Sequence, residues 1–371
     1  MTTAISFFTG AGGLDIGLEQ AGFNIRLALE IDPTYCDTLR LNYPSLNVRE
    51  GDIMNYTKKR VFQEANISNK NEIDLVVGGS PCQSFSTAGK RKAFSDPRGQ
   101  AMLKFANLVT DMQPKAFLLE NVRGLLSASL KHRPLEKRGS GYPNLTEEEI
   151  PGSALKYLLS HFPDYEVSTK LLNAADYGVP QKRERVFIIG VRKDLNKTFN
   201  FPDTTHNEKG TNGKLPWKTV NDAFKRIKNT EHDYVNYSKE RFRYMQMIPK
   251  GGGNWRNLRA YGEETVKEAM GGAYRSGGGK VGYFRRLYAN RPSPTLLTSP
   301  IQKSTNLGHP FEDRPLSIQE YLVIQEFPVD YQIAGKLYEQ YVQVGNAVPI
   351  RLAKILGESI LNIISPNPIV V

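Results

Sequence analysis

The chain has 371 residues, 39% of them hydrophobic and 23% charged, with a mean hydropathy of −0.45. That is the composition of a soluble globular protein of one large domain plus a smaller one, and no apolar run approaches the roughly 20 residues that would cross a bilayer. Two cysteines argue against a disulfide framework, and 49 Lys plus Arg against 38 Asp plus Glu give a formal charge of +11, which suits a polyanionic partner as well as a merely basic surface.

In chain order, Met1-Thr2-Thr3-Ala4 lacks a basic segment followed by an apolar core, so no secretion signal is expected and the chain reads as cytoplasmic. Ala4–Phe8 reads as a buried strand running into a glycine turn, and 14–22 has helical spacing. A second strand spans Ile25–Ile31, a helix follows around Thr34–Leu41, and a third strand begins near Val48 and ends at Gly51-Asp52. Ile73–Val77 is a fourth strand and Ala116–Leu119 a fifth. Apolar runs with intervening helices predict an α/β fold with a doubly wound, mostly parallel sheet covered on both faces. Lys131–Pro151 reads as a surface insertion, after which Tyr165–Leu172 and Arg185–Val191 resume the pattern.

The texture changes near Asp194. Residues 194–300 mix Pro, Gly and Tyr irregularly and interleave Arg with aromatics, including Trp255, Arg256, Arg259, Phe284, Arg285 and Arg286. Such a mixture suits phosphates and stacked bases, and equally a loop-rich solvated surface. Helical periodicity resumes at Ser317, and Ile350–Ile364 reads as a helix returning to the first domain. The expected organisation is 1–193 as the catalytic and cofactor-binding domain, 194–300 as a smaller irregular domain, and 301–371 as a C-terminal segment returning to the first.

Chemistry concentrates at strand ends. Phe8-Thr9-Gly10-Ala11-Gly12-Gly13 joins the first strand to the first helix, where glycines let a ligand approach free amides. Glu30 ends the second strand, where a carboxylate can bind both ribose hydroxyls of a nucleoside, and Asp52 ends the third, where an adenine amino group could be received. NAD would explain the glycines equally well. Gly78-Gly79-Ser80-Pro81-Cys82-Gln83-Ser84-Phe85-Ser86 follows the fourth strand. Cys36 reads as a small buried hydrophobe, but Cys82 stands among Pro, Gln and Ser, and Lys90, Arg91, Lys92 and Arg98 nearby favour its thiolate. Glu120 leaves an apolar strand, so its carboxyl is expected to be partly desolvated and able to share a proton. Strand alternation would put Gln181, Arg183 and Arg185 on one face. Gln343-Val344-Gly345-Asn346-Ala347-Val348-Pro349 reads as a tight turn before the last helix. The five histidines lie far apart and offer no metal site.

This set, in this order, resembles the cytosine-C5 DNA methyltransferase family, prokaryotic restriction-modification type, over nearly the whole chain except 194–290. Arg314–Pro328 resembles its next-to-last motif, and Ser80 stands where some members carry an aromatic residue. The resemblance implies S-adenosyl-L-methionine as donor on Phe8, Gly10, Gly12, Gly13, Glu30, Ile31, Asp52 and Ile53, with Asn346 and Val348 closing the site. It implies Cys82 as nucleophile on cytosine C6, Glu120 at N3, Arg185 at O2, and Arg183 supporting Cys82 or the phosphate backbone. The cytosine would be flipped out of double-stranded DNA, with residues 194–300 as the target-recognition domain and Gln83, Ser86, Lys90, Arg91, Arg98, Arg256, Arg259, Arg285 and Arg286 as DNA contacts. A monomer that shares its target with a cognate restriction endonuclease, and holds no metal, is expected. A tRNA cytosine-C5 methyltransferase and a non-catalytic DNA-binding protein are the alternatives. An amine methyltransferase would need a different strand-end motif, and an oxidoreductase leaves Cys82 and Glu120 unexplained.

Overall fold

The computed structural model of the chain describes residues 2–81, 93–228, 233–277 and 279–365. Cys82, Gln83, Ser86, Lys90 and Arg91 lie outside the described residues.

The apolar runs become strands β1 (Thr2–Phe7), β2 (Phe23–Glu30), β3 (Val48–Glu50), β4 (Leu75–Gly79) and β5 (Ala116–Val122), all mutually parallel. Helices α1 (Gly13–Ala21), α2 (Pro33–Asn42), α3 (Lys58–Glu64) and α4 (Pro97–Met112) lie between successive strands. Asp32, Thr57 and Asp96 cap α2, α3 and α4 by accepting from free amides of the first turn, and Pro33 and Pro97 open their helices where no amide partner is needed. After α5 (Ser153–Leu159) come β6 (Tyr165–Asn173), the short β7 (Gln181–Lys182) and β8 (Glu184–Arg192).

The sheet order is β3-β2-β1-β4-β5-β8-β6, and β8 runs antiparallel to both neighbours. Ile5, Phe7, Val76, Phe117 and Ile188 are fully buried in one core with Phe105 of α4. Consecutive buried residues such as Leu75, Val76 and Val77 explain why the central strands read as apolar runs rather than alternations.

The chain divides into two compact units. The first is Met1–Asn173, Glu184–Asp203 and Leu352–Val371, and the second is Ala174–Arg183 and Thr204–Arg351. These breaks differ from the expected boundaries: residues 301–351 belong with the irregular region and not with the sheet. The reason is that they bury their own apolar face there. Helix α9 (Ile318–Ile324) meets α10 (Leu337–Asn346) through Tyr321 and Tyr341, whose rings stand 5.0 Å apart and edge to face. Beneath them Arg314 holds the buried Glu320 at 2.7 Å. The second unit also contains α6 (Val220–Phe224), α7 (Lys239–Gln246) and α8 (Glu263–Met270), the strand pair β9 (His206–Asn207) and β10 (Leu215–Pro216), and β11 (Ser293–Pro294) beside β7. Its core gathers Tyr244, Met245, Trp255, Leu258, Val266 and Phe284. Helix α11 (Ile350–Ile364) returns to the first unit from Leu352 onward. A Cβ on Gly357 would stand 2.8 Å from the Ala21 side chain, so glycine is what lets α11 approach α1.

Gly190, in the middle of β8, has a similar role against the aromatic core. A Cβ there would lie 2.1 Å from the Phe117 ring, which is stacked on Phe162 at 4.2 Å and edge-on to Tyr165 at 5.2 Å. With the ring held on two sides, Gly190→Ala should cost about 1–3 kcal/mol by overpacking. A urea denaturation midpoint equal to wild type would show that the ring yields freely.

Candidate active site

Because β1 to β5 run the same way, their carboxyl ends share one edge of the sheet, and the strand order reverses at β1. Open parallel sheets bind ligands at such a reversal. Phe8, Gly10 and Gly12 take positive φ values of 57°, 59° and 80°. Glycine allows this freely, but Phe8 does so at a cost of roughly 1–3 kcal/mol. Gly12 is the N-cap of α1 and brings no side chain to the helix amides.

Glu30 stitches this turn to the end of β2. Its Oε2 accepts from the Gly10 amide at 2.8 Å, and its Oε1 from Ile31 at 2.8 Å and Asp32 at 3.0 Å. Burial pushes the Glu30 carboxyl above its usual range, and the three amides oppose that shift. A carboxylate has about four acceptor positions, so three amides fix its orientation and leave room for a hydroxyl donor. Asp52 caps the turn after β3 by accepting from the Met54 amide at 2.9 Å. Ile53 is buried, while Ile31 and Met54 stand 62% and 46% exposed at the same edge. Two apolar side chains left in solvent beside two carboxylates and an open glycine turn fit a nucleoside, whose base needs cover and whose hydroxyls need acceptors.

Under the turn lies Asp15, which the sequence reading passed over because it stands in a helical apolar run. It is fully buried, and its Oδ1 accepts from the Ser6 hydroxyl at 2.6 Å. Its Oδ2 has no hydrogen-bond partner among the described residues. Burial pushes its pKa up to about 7, against the pull of the Ser6 hydrogen bond. Cys36 is also buried, its thiol raised to about 12 by burial and by the nearby Glu30, in keeping with an inert packing residue.

At the ends of β4 and β5 the chain builds a second cluster. Glu120, 7% exposed, pairs with Arg185 of β8, Oε1 to Nε at 2.9 Å. Its neighbour Asn121 is completely buried and donates to the Ser80 hydroxyl at 2.9 Å, while its own oxygen accepts from the Val122 amide. Asn121 therefore anchors Ser80, two residues before Cys82. Sequence reasoning did not single it out, although an asparagine inside a buried strand is itself a signal, since buried amides need partners. Gly78 allows β4 to pass α4, because a Cβ there would lie 2.8 Å from the Phe105 ring.

Several expected site residues are placed differently. Gln181, Arg183 and Arg185 do not form one row, because strand pairing breaks at Arg183. Gln181 and Arg183 are wholly buried in the second unit, and only Arg185 belongs to the first. Gln181 exchanges hydrogen bonds with the Leu296 amide and Gln325, and Arg183 donates to the carbonyls of Leu296 at 3.2 Å and Asn346 at 3.1 Å. Asn346 and Val348 also lie in the second unit, Asn346 exposed and Val348 buried.

Among the expected DNA contacts, Arg98 is exposed at the start of α4. Arg256 and Arg259 are exposed beside the Trp255 ring, at 6.0 Å and 5.3 Å. Arg286 is corrected to a structural residue: it has no exposed surface, and it donates to the carbonyls of Met245 and His309 and pairs with Asp313 at 2.6 Å. Arg285 donates to the Asn306 carbonyl at 3.0 Å, and burial lowers its pKa. Among the described residues no His, Cys, Asp and Glu group could hold a metal, and no helix is long and apolar enough to cross a membrane.

The family described as C-5 cytosine-specific DNA methylase matches residues 2–362. Type II methyltransferase M.Sau96I of Staphylococcus aureus is 38% identical over 365 residues, covering 96% of this chain and 74% of that one. Type II methyltransferase M.Eco47II of Escherichia coli is 36% identical over 369 residues, covering 98% and 79%. The crystal structure of a Spodoptera frugiperda DNMT2 triple mutant shares the fold, with a TM-score of 0.63 over 97% of this chain and 100% of that one at 15% identity.

The raised pKa of Asp15 has a definite consequence for stability. A folded-state value near 7 against the ordinary 3.8 means that the folded chain holds a proton the unfolded chain has released. Stability from the neutral carboxyl is complete below about pH 4 and is lost as pH rises through 7. Asp15→Asn keeps a neutral group at every pH. Its stability relative to wild type should rise by about 2–3 kcal/mol between pH 5 and pH 8. A difference that stays flat across that range would mean Asp15 is ionised in the folded protein throughout.

Proposed function

The chain belongs to the C-5 cytosine-specific DNA methylase family and is a DNA (cytosine-5-)-methyltransferase, and we propose that it methylates cytosine in duplex DNA through a covalent adduct on Cys82. The observation that carries this reading is the Glu120–Arg185 pair, 2.9 Å apart beside the strand that leads to Cys82. Cytosine presents N3 and O2 next to each other, and a carboxyl beside a guanidinium matches that edge. Arg185 donates to O2, and Glu120, in its acid form, gives a proton to N3.

Ring charge drawn off at N3 and O2 makes C6 electrophilic, and the Cys82 thiolate forms a bond to it. The C5–C6 π electrons then take a methyl group at C5. S-adenosylmethionine, when bound, supplies that methyl from its sulfonium. Loss of the C5 proton to a base and cleavage of the C6–S bond restore the aromatic ring and the thiolate, while the N3 proton returns to Glu120. Asn121 is a positioning residue in this scheme, because its amide holds Ser80 and so sets where the Pro81-Cys82 step begins. Glu30 and Asp52 would hold the cofactor's polar groups, and the Gly10–Gly12 turn would leave it room. Stacking shields C6 inside a duplex, so the cytosine must leave the helix, at a cost of a few kcal/mol.

The names of the relatives support a Type II modification role, in which a restriction endonuclease shares the target sequence. Methyl transfer to unmethylated plasmid, followed by bisulfite sequencing, tests the reading. Wild type should mark cytosines in one short motif, and Cys82→Ser should mark none. Glu120→Gln should be slower by about 10²–10⁴-fold. Full activity in Cys82→Ser would end the covalent scheme, and activity on tRNA alone would replace the substrate.

A further inference from the structure

Asp15, buried beneath the glycine turn, takes no part in the methyl-transfer scheme, yet a row of side-chain contacts joins it to the strand that carries Glu30. Its Oδ1 lies 2.6 Å from the Ser6 hydroxyl of β1. The Ser6 hydroxyl lies 3.2 Å from that of Thr9, which reaches the Leu29 carbonyl of β2 at 3.5 Å. The Thr9 amide donates to the same carbonyl at 3.4 Å, and the Thr9 carbonyl accepts from the Gly12 amide at 3.1 Å. Thr9 therefore ties the turn both to β2 and to itself. The turn is open at Gly10, where a Cβ would meet nothing within 4 Å.

Counting hydrogens along this row separates the two states of Asp15. The row has three contacts and ends on a carbonyl, which brings no hydrogen, while the two hydroxyls bring one each. An ionised Asp15 accepts from Ser6 and leaves two hydrogens for three contacts. The acid, with its proton on Oδ1, donates to Ser6 and supplies the third. A proton on Oδ2 would lack an acceptor, because that oxygen is buried with no hydrogen-bond partner among the described residues.

The surroundings favour the acid. Burial pushes the Asp15 pKa up to about 7, and the charged groups that face it, Glu19 of α1 and Glu30 at the end of β2, push the same way. Strand β1 and the turn face it with the Ser6 and Thr9 hydroxyls. When the proton leaves, Ser6 gives its hydrogen to the carboxylate. The Ser6 oxygen then draws the Thr9 hydrogen, and the longest contact, Thr9 to Leu29, is left without one. The turn keeps its amide bonds to Leu29 and Glu30 but loses its side-chain tie to β2.

We propose that Asp15, as the neutral acid, is a positioning residue for the cofactor: through Ser6 and Thr9 it fixes the turn against β2, and loss of its proton weakens cofactor binding without altering the reacting groups. The proposal rests on the reading above that S-adenosylmethionine lies on this turn and Glu30. Wild type, Asp15→Asn and Ser6→Ala, all as the full chain, are compared at pH 6 and pH 8 in two arms. One is equilibrium dialysis against S-adenosylhomocysteine, the product form of the cofactor. The other is hydrogen exchange of the Thr9, Gly10 and Gly12 amides without ligand, corrected for the intrinsic effect of pH.

Wild type should bind about tenfold more weakly at pH 8 than at pH 6, the linkage of one proton that titrates near 7, and its turn amides should lose protection. Asp15→Asn, whose amide donates to Ser6 at every pH, should hold affinity and protection within about twofold across the range. Ser6→Ala, which cuts the row, should bind at both pH values about as weakly as wild type does at pH 8. A pH dependence that persists in full in Asp15→Asn belongs to Glu30, which that variant retains, and overturns the proposal. A wild-type affinity that is equal at both pH values overturns it too. Should wild type take up no ligand at either pH, the cofactor reading fails separately and the exchange arm decides whether Asp15 holds the turn.

Discussion

Glu120 pairs with Phe187 and Val122 with Arg185 across an antiparallel ladder, and the site depends on that register. The parallel strands β1 to β5 all deliver their last residues to one edge of the sheet. Strand β8 delivers its first residues there, because it runs the other way. Were it parallel, Arg185 would begin the strand at the opposite edge, about 20 Å away for a strand of this length. Glu120 would then be a nearly buried carboxylate without its guanidinium, a costly arrangement. A slip of one residue would be as damaging, since it would turn Arg185 to the other face of the sheet.

Four of the strand ends are legible because each follows a short apolar run: Phe7 before the glycine turn, Glu30, Gly79 and Glu120; the third strand, Val48–Glu50, is polar and ends two residues before Asp52. The nearly unbroken apolar runs also gave the parallel sheet directly. What escaped were interactions that depend on distant partners. Asp15 looks like any acidic residue in a first helical turn until Ser6 is seen beneath it. Asn121 reads as one more polar residue at a strand end, and its contact with Ser80 spans 41 residues. Alternation also misled at Gln181, Arg183 and Arg185, because it assumes a continuous strand. Pairing stops at Arg183, where the Ala174 amide takes that residue's carbonyl.

Charge was the least dependable guide. A run of arginines among aromatics suggests a surface for phosphates, yet Arg183, Arg286 and Arg314 are almost wholly buried and serve as internal hydrogen-bond hubs. Arg286 ties the carbonyls of Met245, His309 and Glu312 and the Asp313 carboxylate together, four acceptors against a lysine's three donors. The second unit has few regular elements, so its loops need such multidentate donors to satisfy buried carbonyls. Its arginine content is therefore partly a structural requirement. Exposed Arg256 and Arg259 beside Trp255 are the better measure of what remains for a partner.

Two phenylalanines with positive φ, Phe8 and Phe284, stand one in each unit. Each conformation costs energy that its surroundings must supply. Phe8 follows a strand paired on both sides, and its ring lies near Phe105. Phe284 is fixed by Tyr244 and by the chain reversal at Gly282, where a Cβ would strike the Ser304 carbonyl at 2.0 Å. In both cases a rigid scaffold forces an aromatic ring into a position that regular backbone would not give it. A glycine would have relieved the strain at either position. A ring at Phe284 fills the core of the second unit against Tyr244, and the ring at Phe8 packs toward Phe105.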